Sequence, residues 1–338
     1  MNQKNVSAPP AVSVSEPAAT PFPPPPPAPN RTGRNRLRFG NRLAVAILLG
    51  WLPASLDAQT ANPETNSPAR TGQAENLPAS PKLPSLFLIG DSTVRNGQGT
   101  GTGGQWGWGD FLAPFFDTNR INVVNCAHGG TSSRTFYRDQ WPRVAAMLKP
   151  GDCVIMQFGH NDGGPVNDAS RARGTIKGVG AESQEITNLI TKKSEVVHTF
   201  GWYLAKFVTD AKARGATAII CSPIPHKQHW EGGRDFASIA DWDEQAAKNN
   251  GALFFDLTMV ITGAYKKEGA DKVATFFADK GTHTTGSGAQ FNAACVIAGL
   301  KSLPNEPLEK FFSEKSRTVE PYKPDTQDIS TNTSPLQP

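Results

Sequence analysis

The sequence predicts a three-layer, doubly wound α/β domain with a parallel five-stranded sheet, spanning residues 84–312. The first observation is a set of five short runs that are apolar on both faces, as strands buried between two helical layers must be. The second is the longer amphipathic stretches that alternate with these runs, because each crossover between parallel strands needs a helix to return the chain. The predicted strands are Leu86 to Ile89, Ile121 to Asn125, Cys153 to Phe158, Ala218 to Cys221 and Leu253 to Asp256.

Helices are predicted where apolar residues recur at helical spacing. They cover Gly109 to Phe116, Pro142 to Leu148, Val196 to Arg214, Asp235 to Asn249 and Gly286 to Leu303. One stretch fits neither pattern, because Gly163 to Lys193 is rich in glycine, serine, threonine and charge. A segment of that length without secondary structure usually serves a function in a compact domain, so we expect a functional loop.

Both ends of the chain differ in composition from this central part. Residues 1–58 begin with a proline- and alanine-rich segment that is predicted to be disordered, because it has little apolar bulk to bury. Arginines, the apolar run 43–52 and small residues then predict an export signal, and hence an extracellular or periplasmic protein. An uncleaved membrane anchor is the weaker alternative, since about ten apolar residues are few for a bilayer. Residues 59–83 are predicted to be a linker and residues 313–338 a flexible tail.

The net charge of the chain lies in its first segment. Residues 1–58 carry six basic and two acidic residues, a net charge of +4 that equals the net charge of all 338 residues. The remainder is formally neutral. Its charge therefore gives no indication of a nucleic-acid partner, and none is expected.

The four cysteines show no close pair and no metal-ligand spacing. They are Cys126, Cys153, Cys221 and Cys295. Three of them lie in or at the end of apolar, strand-like runs, so buried free thiols agree with the sequence at least as well as disulfides. We expect no metal or other cofactor, and nothing predicts a stable protein partner, so a monomer is expected.

Four polar, glycine-containing clusters follow predicted strands or lie in the last loop, at the edge where doubly wound sheets bind ligands. A serine that cleaves esters needs a base, an acid that orients the base, and hydrogen-bond donors for the oxyanion. Ser92, after the first strand, is the candidate nucleophile. A Gly-Asp-Ser sequence alone is more often a turn or a helix cap.

The second and third clusters supply candidate oxyanion donors. Residues 125–134 contain paired glycines whose backbone N–H groups suit an oxyanion, although a flexible turn explains such a pair as well. Residues 157–164 contain Asn161, whose amide can donate to an oxyanion. His160 and Asp162 are alternatively a catalytic dyad or a metal pair, but nearby side chains at a strand end point in different directions.

The fourth cluster, residues 278–286, supplies a candidate base. His283 follows closely behind Asp279, and such a histidine can offer one ring nitrogen to a serine and the other to the carboxylate. A single histidine before a helix is more often structural. We consider His283 a candidate base because the other three clusters supply a serine and oxyanion donors.

Together the four clusters resemble, in order, the four sequence blocks of the SGNH (GDSL-like) hydrolase superfamily. Longer matches at Phe158 to Gly164, Val196 to Leu204 and Ser222 to Pro225 are similar to its rhamnogalacturonan acetylesterase branch. The resemblance covers Pro84 to Leu303. It implies a flavodoxin-like α/β/α domain and metal-free hydrolysis of acetyl esters on pectin.

The resemblance also implies roles for individual residues. Ser92 would be the nucleophile and His283 the general base, with Asp279 orienting the ring. The oxyanion hole would consist of the backbone N–H groups of Ser92 and Gly130 and the side-chain amide of Asn161.

The chain departs from the family pattern in one place. Members have the acid three residues before the histidine, where this chain has Lys280, while Asp279 lies four residues before it. We interpret Gly281 as a one-residue insertion that lets the loop bulge and returns Asp279 to His283. The alternative is a Ser92 and His283 dyad in which a backbone carbonyl orients the ring.

Five further side chains are predicted to line a groove for a sugar chain, since aromatic faces and hydrogen-bond donors suit carbohydrate. For at least half of the tryptophans, core packing is the favoured alternative. The five are Trp106, Trp108, Arg134, His226 and Trp230.

The expected function is an exported serine carbohydrate esterase that removes O-acetyl groups from rhamnogalacturonan, a pectic polysaccharide, through an acyl-enzyme on Ser92. The nearest alternatives are other SGNH activities: a xylan deacetylase, a lipase-like enzyme or a thioesterase. The polar stretch Gly163 to Lys193 favours a bulky polar substrate over a long acyl chain. A non-catalytic carbohydrate-binding envelope protein is a more distant alternative. Its only support is that Asp279 lies four residues, not three, before His283.

Overall fold

The structure is a computed structural model that describes residues 76–232 and 234–324. The predicted leader and the apolar run 43–52 lie outside the described residues, as do most of the predicted linker and the end of the predicted tail. Within the described ranges, no helix has both the length and the apolar character needed to cross a membrane.

Five parallel strands form the central sheet. They are β1 (Ser85–Gly90), β2 (Asn122–Asn125), β3 (Cys153–Gln157), β6 (Thr217–Cys221) and β7 (Leu253–Phe255). They lie side by side in the order β2-β1-β3-β6-β7, and every pair is parallel. The five predicted strands are confirmed to within one residue at each end.

Helices cover both faces of this sheet. They are α1 (Ser133–Asp139), α2 (Trp141–Met147), α3 (Phe200–Ala213), α4 (Ala237–Asn250), α5 (Leu257–Glu268), α6 (Ala270–Ala274), α7 (Gly286–Lys301) and α8 (Glu314–Arg317). Side chains of β1 alternate between two cores: Leu86 and Leu88 pack with α5, α6 and α7, whereas Phe87 and Ile89 pack with α1 to α4. The predicted three-layer α/β/α fold is therefore confirmed.

Two predicted helices differ from the structure. Gly109 to Phe116 forms two short 3-10 turns, Trp108–Phe111 and Ala113–Phe115, because Pro114 has no N–H to continue a helix. The helix predicted from Val196 begins at Phe200, where the Thr199 hydroxyl accepts a hydrogen bond from the Trp202 N–H at 3.1 Å.

The stretch Gly163 to Lys193 is not wholly irregular. It contains β4 (Ser183–Thr187), which pairs antiparallel with β5 (Ser194–His198) to form a two-stranded sheet. Only Ile186 of β4 is buried, so the strand has no apolar alternation that a sequence pattern could reveal. Residues 163–182, before the hairpin, remain a long loop.

The described part of the predicted tail packs on the domain. The Lys301 ammonium donates to the carbonyl oxygens of Ser316 and Val319, at 2.7 Å each. The Tyr322 N–H donates to the carbonyl of Ala298 at 3.0 Å. The domain therefore extends beyond residue 312, because α8 and the residues after it cover one end of α7.

The cysteines are buried free thiols, not disulfides. Burial raises the pKa of Cys126 and Cys153 to about 11. A thiol with so high a pKa is a poor nucleophile.

The strand order places one pair of loops side by side. From β1 the chain moves to β2 on one side and then returns to β3 on the other, so the strand order reverses between β1 and β3. Ligands bind at such a reversal in open α/β sheets. The loops after β1 and β3 carry Ser92 and Asn161.

Candidate active site

The turn after β1 holds Ser92 in a fixed position. Gly90 permits the close approach of backbones that this turn needs, because a Cβ there would lie only 2.6 Å from the Gln157 carbonyl oxygen. Asp91 Oδ1 then accepts hydrogen bonds from the N–H and hydroxyl of Thr93, at 2.8 and 2.7 Å. Ser92 itself is only 8% exposed, so its hydroxyl has a defined environment.

A histidine connects this serine to a carboxylate. His283 Nε2 lies 3.0 Å from Ser92 Oγ, and His283 Nδ1 lies 2.5 Å from Asp279 Oδ2. Asp279 Oδ1 accepts from the N–H groups of Gly281, Thr282 and His283, at 2.9, 2.8 and 3.1 Å. The three side chains thus form a continuous Ser-His-Asp hydrogen-bond chain, the arrangement in which an acid fixes the tautomer of a histidine base.

The residues between Asp279 and His283 are held by hydrogen bonds from the loop that follows β6. The Lys227 N–H donates to the Gly281 carbonyl at 2.8 Å, and the Gln228 amide donates to the Lys280 carbonyl. His283 Nδ1 faces the Asp279 carboxylate rather than the backbone carbonyl of the alternative dyad.

Asp279 is charged at neutral pH. Partial burial raises its pKa, but the hydrogen bonds from the Gly281 N–H, from His283 and from the neighbouring backbone outweigh burial and lower the pKa to about 2. A carboxylate that stays ionised can orient the imidazole ring and stabilise it when it carries a second proton.

The second cluster lies beside Ser92. The His128 N–H and the Thr131 hydroxyl both approach the Gly90 carbonyl, at 3.0 and 3.3 Å, which fastens this loop to the nucleophile turn. Gly130 has a φ of 79°, a left-handed conformation that favours glycine. One hydrogen of the Asn161 amide donates to the Thr131 carbonyl at 2.8 Å, which leaves the other hydrogen for a ligand.

His160 and Asp162 do not form a pair. His160 Nδ1 lies 3.4 Å from Asp91 Oδ2, whereas Asp162 Oδ1 accepts from the N–H and hydroxyl of Ser133, at 3.0 and 2.5 Å. Burial raises the pKa of Asp91, but His160 and the hydrogen bonds from Thr93 outweigh it, so the net shift is downward. Throughout the part of the chain that the structure describes, no group of three or more histidine, cysteine or acidic side chains could hold a metal ion.

Asp162 predicts a pH dependence of stability. Burial raises its pKa from 3.8 to about 7 although Ser133 bonds oppose the shift. Between these values the folded state binds more protons than the unfolded chain, so the free energy of unfolding falls as pH rises from about 4 to 7, by at most about 4 kcal/mol.

The Asp162→Asn variant, which keeps an acceptor for Ser133, should lose this contribution. Urea unfolding at several pH values would measure it, with Asp271→Asn as an exposed control. Equal slopes for the wild type and Asp162→Asn would contradict a raised pKa.

Two of the tryptophans predicted in the groove are core residues instead. Trp108 is 1% exposed, and its indole N–H donates to Gln157 Oε1 at 2.8 Å. Trp230 is 6% exposed and packs edge-on against Tyr265. Both rings are buried in the apolar core, where burial is favourable, and this agrees with the core-packing alternative given for at least half of the tryptophans.

Arg134 is also buried rather than available to substrate. Its guanidinium pairs with Glu195, with Nε and Nη2 at 2.8 and 2.7 Å from the two carboxylate oxygens. Nη1 donates to the carbonyl oxygens of Val166 and Gly174. All three nitrogens are engaged within the protein, so its predicted place in a sugar groove is wrong.

Trp106 and His226 are partly exposed and lie near the histidine loop. The Trp106 N–H donates to the carbonyl of Thr284, the residue after His283, and the Thr284 hydroxyl donates to the Trp106 carbonyl, at 2.9 Å each. His226 Nδ1 lies 2.8 Å from Asp235 Oδ2, and its ring meets His160 at a centroid distance of 5.2 Å. Their position keeps both as candidates for substrate contact.

Two residues near the site were not singled out from the sequence. Gln157 donates to the Thr93 hydroxyl at 2.5 Å, and a polar residue at the end of a buried strand was a signal for such a role. Arg173 Nη1 donates to the Gly130 carbonyl at 2.6 Å. No sequence pattern marks Arg173, because it lies in the irregular loop 163–182.

A sequence model of the GDSL-like lipase/acylhydrolase family matches residues 88–291, which include every member of the Ser-His-Asp chain. The chain belongs to this family. As a GDSL-like acylhydrolase it is a carboxylic ester hydrolase, as the sequence predicted.

Two curated relatives of this GDSL-like hydrolase are similar over most of their length. A rhamnogalacturonan acetylesterase of Emericella nidulans is 30% identical over 224 residues, which cover 64% of this chain and 86% of the relative. A Bacillus subtilis protein called "Probable rhamnogalacturonan acetylesterase YesY" is 28% identical over 240 residues, which cover 68% of this chain and 98% of the relative.

The fold of this family member also matches a solved structure. The crystal structure of the Bacillus subtilis protein YxiM superimposes with a TM-score of 0.52 at 21% identity. The match covers 65% of this chain and 56% of that longer chain. At this identity the similarity supports the α/β/α fold alone.

Proposed function

We propose that this hydrolase removes O-acetyl groups from rhamnogalacturonan or a closely related pectic polysaccharide. The observation that carries the chemistry is the hydrogen-bond chain from Ser92 through His283 to Asp279. The substrate class is supported by the two relatives named as rhamnogalacturonan acetylesterases. The basic, apolar start of the chain supports export, which would bring the enzyme to such a polymer.

Acylation begins at Ser92. His283 Nε2, 3.0 Å from Ser92 Oγ, takes the hydroxyl proton as the oxygen attacks the acetyl carbonyl carbon. The oxyanion that forms accepts hydrogen bonds from the N–H groups of Ser92 and Gly130 and from the Asn161 amide. The C–O bond to the sugar then breaks, and protonated His283 gives its proton to the departing sugar hydroxyl.

Deacylation repeats these steps with water. His283 takes a proton from a water molecule, whose oxygen attacks the acetyl group on Ser92, and the same donors hold the second oxyanion. Acetate leaves as the proton returns to Ser92 Oγ. Asp279 keeps the imidazole ring in one orientation through both halves and stabilises its charged form.

Asn161→Ala should lower kcat by about 10²- to 10³-fold, the usual effect of removing one side-chain donor from an oxyanion hole. The loss should fall on kcat rather than KM, because the donor acts on charge that develops in the transition state. Steady-state kinetics on a short aryl acetate would measure it. Asn249→Ala, at an exposed position near the end of α4, is the matched control. A rise in KM alone would contradict the assignment.

The proposed function is tested by acetate release from acetylated rhamnogalacturonan, acetylated xylan and a short aryl acetate, using the full chain and its Ser92→Ala variant. Release from the pectic polymer that disappears in the variant would support the proposal. Hydrolysis of the aryl acetate alone would keep the serine esterase and exclude the pectic substrate.

The same assay separates the alternatives. Faster release from xylan than from the pectic polymer would indicate a xylan deacetylase, and a preference for long acyl chains on simple esters would indicate a lipase-like enzyme or a thioesterase. Polysaccharide binding without hydrolysis between about pH 5 and 9, where a histidine base titrates, would indicate a binding protein.

A further inference from the structure

Arg173 lies at the edge of the proposed oxyanion hole. Its Nη1 donates to the carbonyl oxygen of Gly130 at 2.6 Å, and the N–H of that same residue is a proposed oxyanion donor. The guanidinium has five N–H donors, and this is its one hydrogen bond within the described residues. The remaining donors form no hydrogen bond among the described residues, and the loop that they border lies next to Ser92, since a Cβ on Gly129 would be 3.7 Å from Ser92 Cβ.

Arg173 has no acidic partner. Across residues 76–232 and 234–324, none of the ion pairs includes it. Its own burial and the charge of Arg171 lower its pKa, and the charges of Asp91, Asp162 and Asp168 only partly oppose that shift. A guanidinium stays protonated regardless, so Arg173 carries a half-buried positive charge that forms no ion pair within the described residues.

The nearest loop carboxylate is already occupied. Asp168 Oδ1 accepts from the N–H groups of Ser170 and Arg171 and from the Ser170 hydroxyl, and Oδ2 accepts from the Ala172 N–H at 3.1 Å. Asp168 therefore shapes the loop and does not neutralise Arg173.

The backbone is strained at Ala172, the residue before Arg173. Ala172 has a φ of 42°, a left-handed conformation that residues with a side chain rarely adopt. It is 1% exposed, and the Asp168 turn holds its N–H. Such strain persists only where the surroundings impose it, and it is concentrated at functional positions.

A second arginine, Arg134, forms hydrogen bonds to the same loop. Arg134 Nη1 donates to the Val166 carbonyl at 2.6 Å and to the Gly174 carbonyl at 2.8 Å, while Glu195 holds the rest of its guanidinium. These bonds fasten both sides of the segment that carries Arg173. A charged donor held in advance loses little conformational entropy when it binds a ligand.

We propose that Arg173 binds the carboxylate of a uronic acid in the acetylated substrate. This inference rests on the proposed function and specifies it: the acetylated sugar, or the sugar next to it, carries a free carboxyl group. The planar guanidinium matches a carboxylate with two parallel hydrogen bonds, whereas a neutral polymer such as xylan offers no anion in its main chain.

The test compares the full chain with its Arg173→Gln and Arg173→Lys variants on three substrates. These are the methyl glycoside of an O-acetylated galacturonic acid, the methyl ester of that compound, and a short aryl acetate. Arg171→Gln, which removes an exposed arginine from the same loop, is the matched control. Glutamine can still donate to the Gly130 carbonyl, so the oxyanion loop keeps its support in the test variant.

Arg173→Gln should raise KM for the free uronate by about 10- to 100-fold, the range expected when a charged hydrogen-bond pair is lost. Its kinetics on the methyl ester and the aryl acetate should change by less than about threefold, as should those of Arg171→Gln on all substrates. For Arg173→Lys, KM for the free uronate should lie between the values of the wild type and Arg173→Gln. Lysine keeps the positive charge but lacks the planar guanidinium that forms two parallel hydrogen bonds.

Equal losses on all three substrates would overturn the inference, because Arg173 would then act through Gly130 alone. No loss on the uronate would overturn it as well. The proposed function fails in a different way, if the wild type releases no acetate from the pectic polymer. Ser92-dependent release from that polymer, without preference for the free carboxylate over its ester, would overturn the carboxylate contact and leave the function standing.

Discussion

Replacing Ser92 by alanine is expected to lower kcat/KM for every acetyl ester by about 10⁴-fold or more, because no acyl-enzyme can form without the hydroxyl. The hydrogen bond of that hydroxyl to His283 Nε2 at 3.0 Å is the one it makes within the described residues. The turn itself depends on Asp91 and Thr93, which the substitution does not touch. The unfolding temperature should therefore stay close to that of the wild type.

The measurement is acetate release beside thermal unfolding of the same preparation. Ser287→Ala, at an exposed position at the start of α7, is the matched control and should retain full activity. Turnover that persists in a folded Ser92→Ala variant would exclude Ser92 as the nucleophile. Loss of activity together with a large fall in unfolding temperature would indicate a structural role.

Asp279→Asn is expected to lower kcat by about 10³- to 10⁴-fold, because an amide at this place favours the wrong tautomer of His283. Asparagine keeps a carbonyl oxygen for the three backbone N–H groups that Asp279 now binds, so the loop should retain its shape. The substitution should lower kcat rather than raise KM. Single-turnover kinetics would show whether the acylation step is slowed.

Lys280→Ala is the control for Asp279, because Lys280 is the next residue in the same loop and lies three residues before His283. Its side chain is exposed and only its backbone carbonyl holds the loop, so we expect less than about a threefold change in kcat. A loss below about tenfold in Asp279→Asn would favour the Ser92 and His283 dyad over the three-residue arrangement.

The central sheet could be predicted from the sequence because its inner strands are buried on both faces. Leu86 to Ile89 reads as a continuous apolar run for that reason, as do β3 and most of β6, whereas the edge strands β2 and β7 are only partly buried. The polar clusters could then be placed at one edge, since the carboxyl ends of parallel strands share an edge. Most of the candidate site could therefore be predicted from the positions of the four clusters in the sequence.

The hairpin and the shorter helices could not be predicted in this way. Strand β4 is exposed apart from Ile186, and it is held by hydrogen bonds to β5 that no side-chain pattern records. Helix α1 begins inside a glycine- and serine-rich cluster, so its start is a capping arrangement by Ser132 rather than an apolar period. The helix predicted from Val196 began too early, because Val196 and Val197 belong to β5. An apolar residue in a sequence does not by itself show whether it lies in a strand or in a helix.

The two arginines show why contact residues were harder to predict than catalytic ones. Arg134 was expected in the groove, but it is buried against Glu195, which lies 61 residues away in the sequence. Arg173 lies against Gly130 and belongs to none of the ion pairs of the described residues. Whether an arginine is structural or free to bind depends on partners that only the tertiary structure brings together.

The proposed nucleophile and base lie 191 residues apart, one directly after the first strand of the sheet and the other just before α7. During synthesis on the ribosome, the growing chain therefore has Ser92 long before it has His283. The hydroxyl stays unactivated until the last helix of the three-layer core docks and brings the ring to it. Esterase activity is thus acquired late, when the sheet is already covered, and a chain cut short before residue 283 would lack the general base.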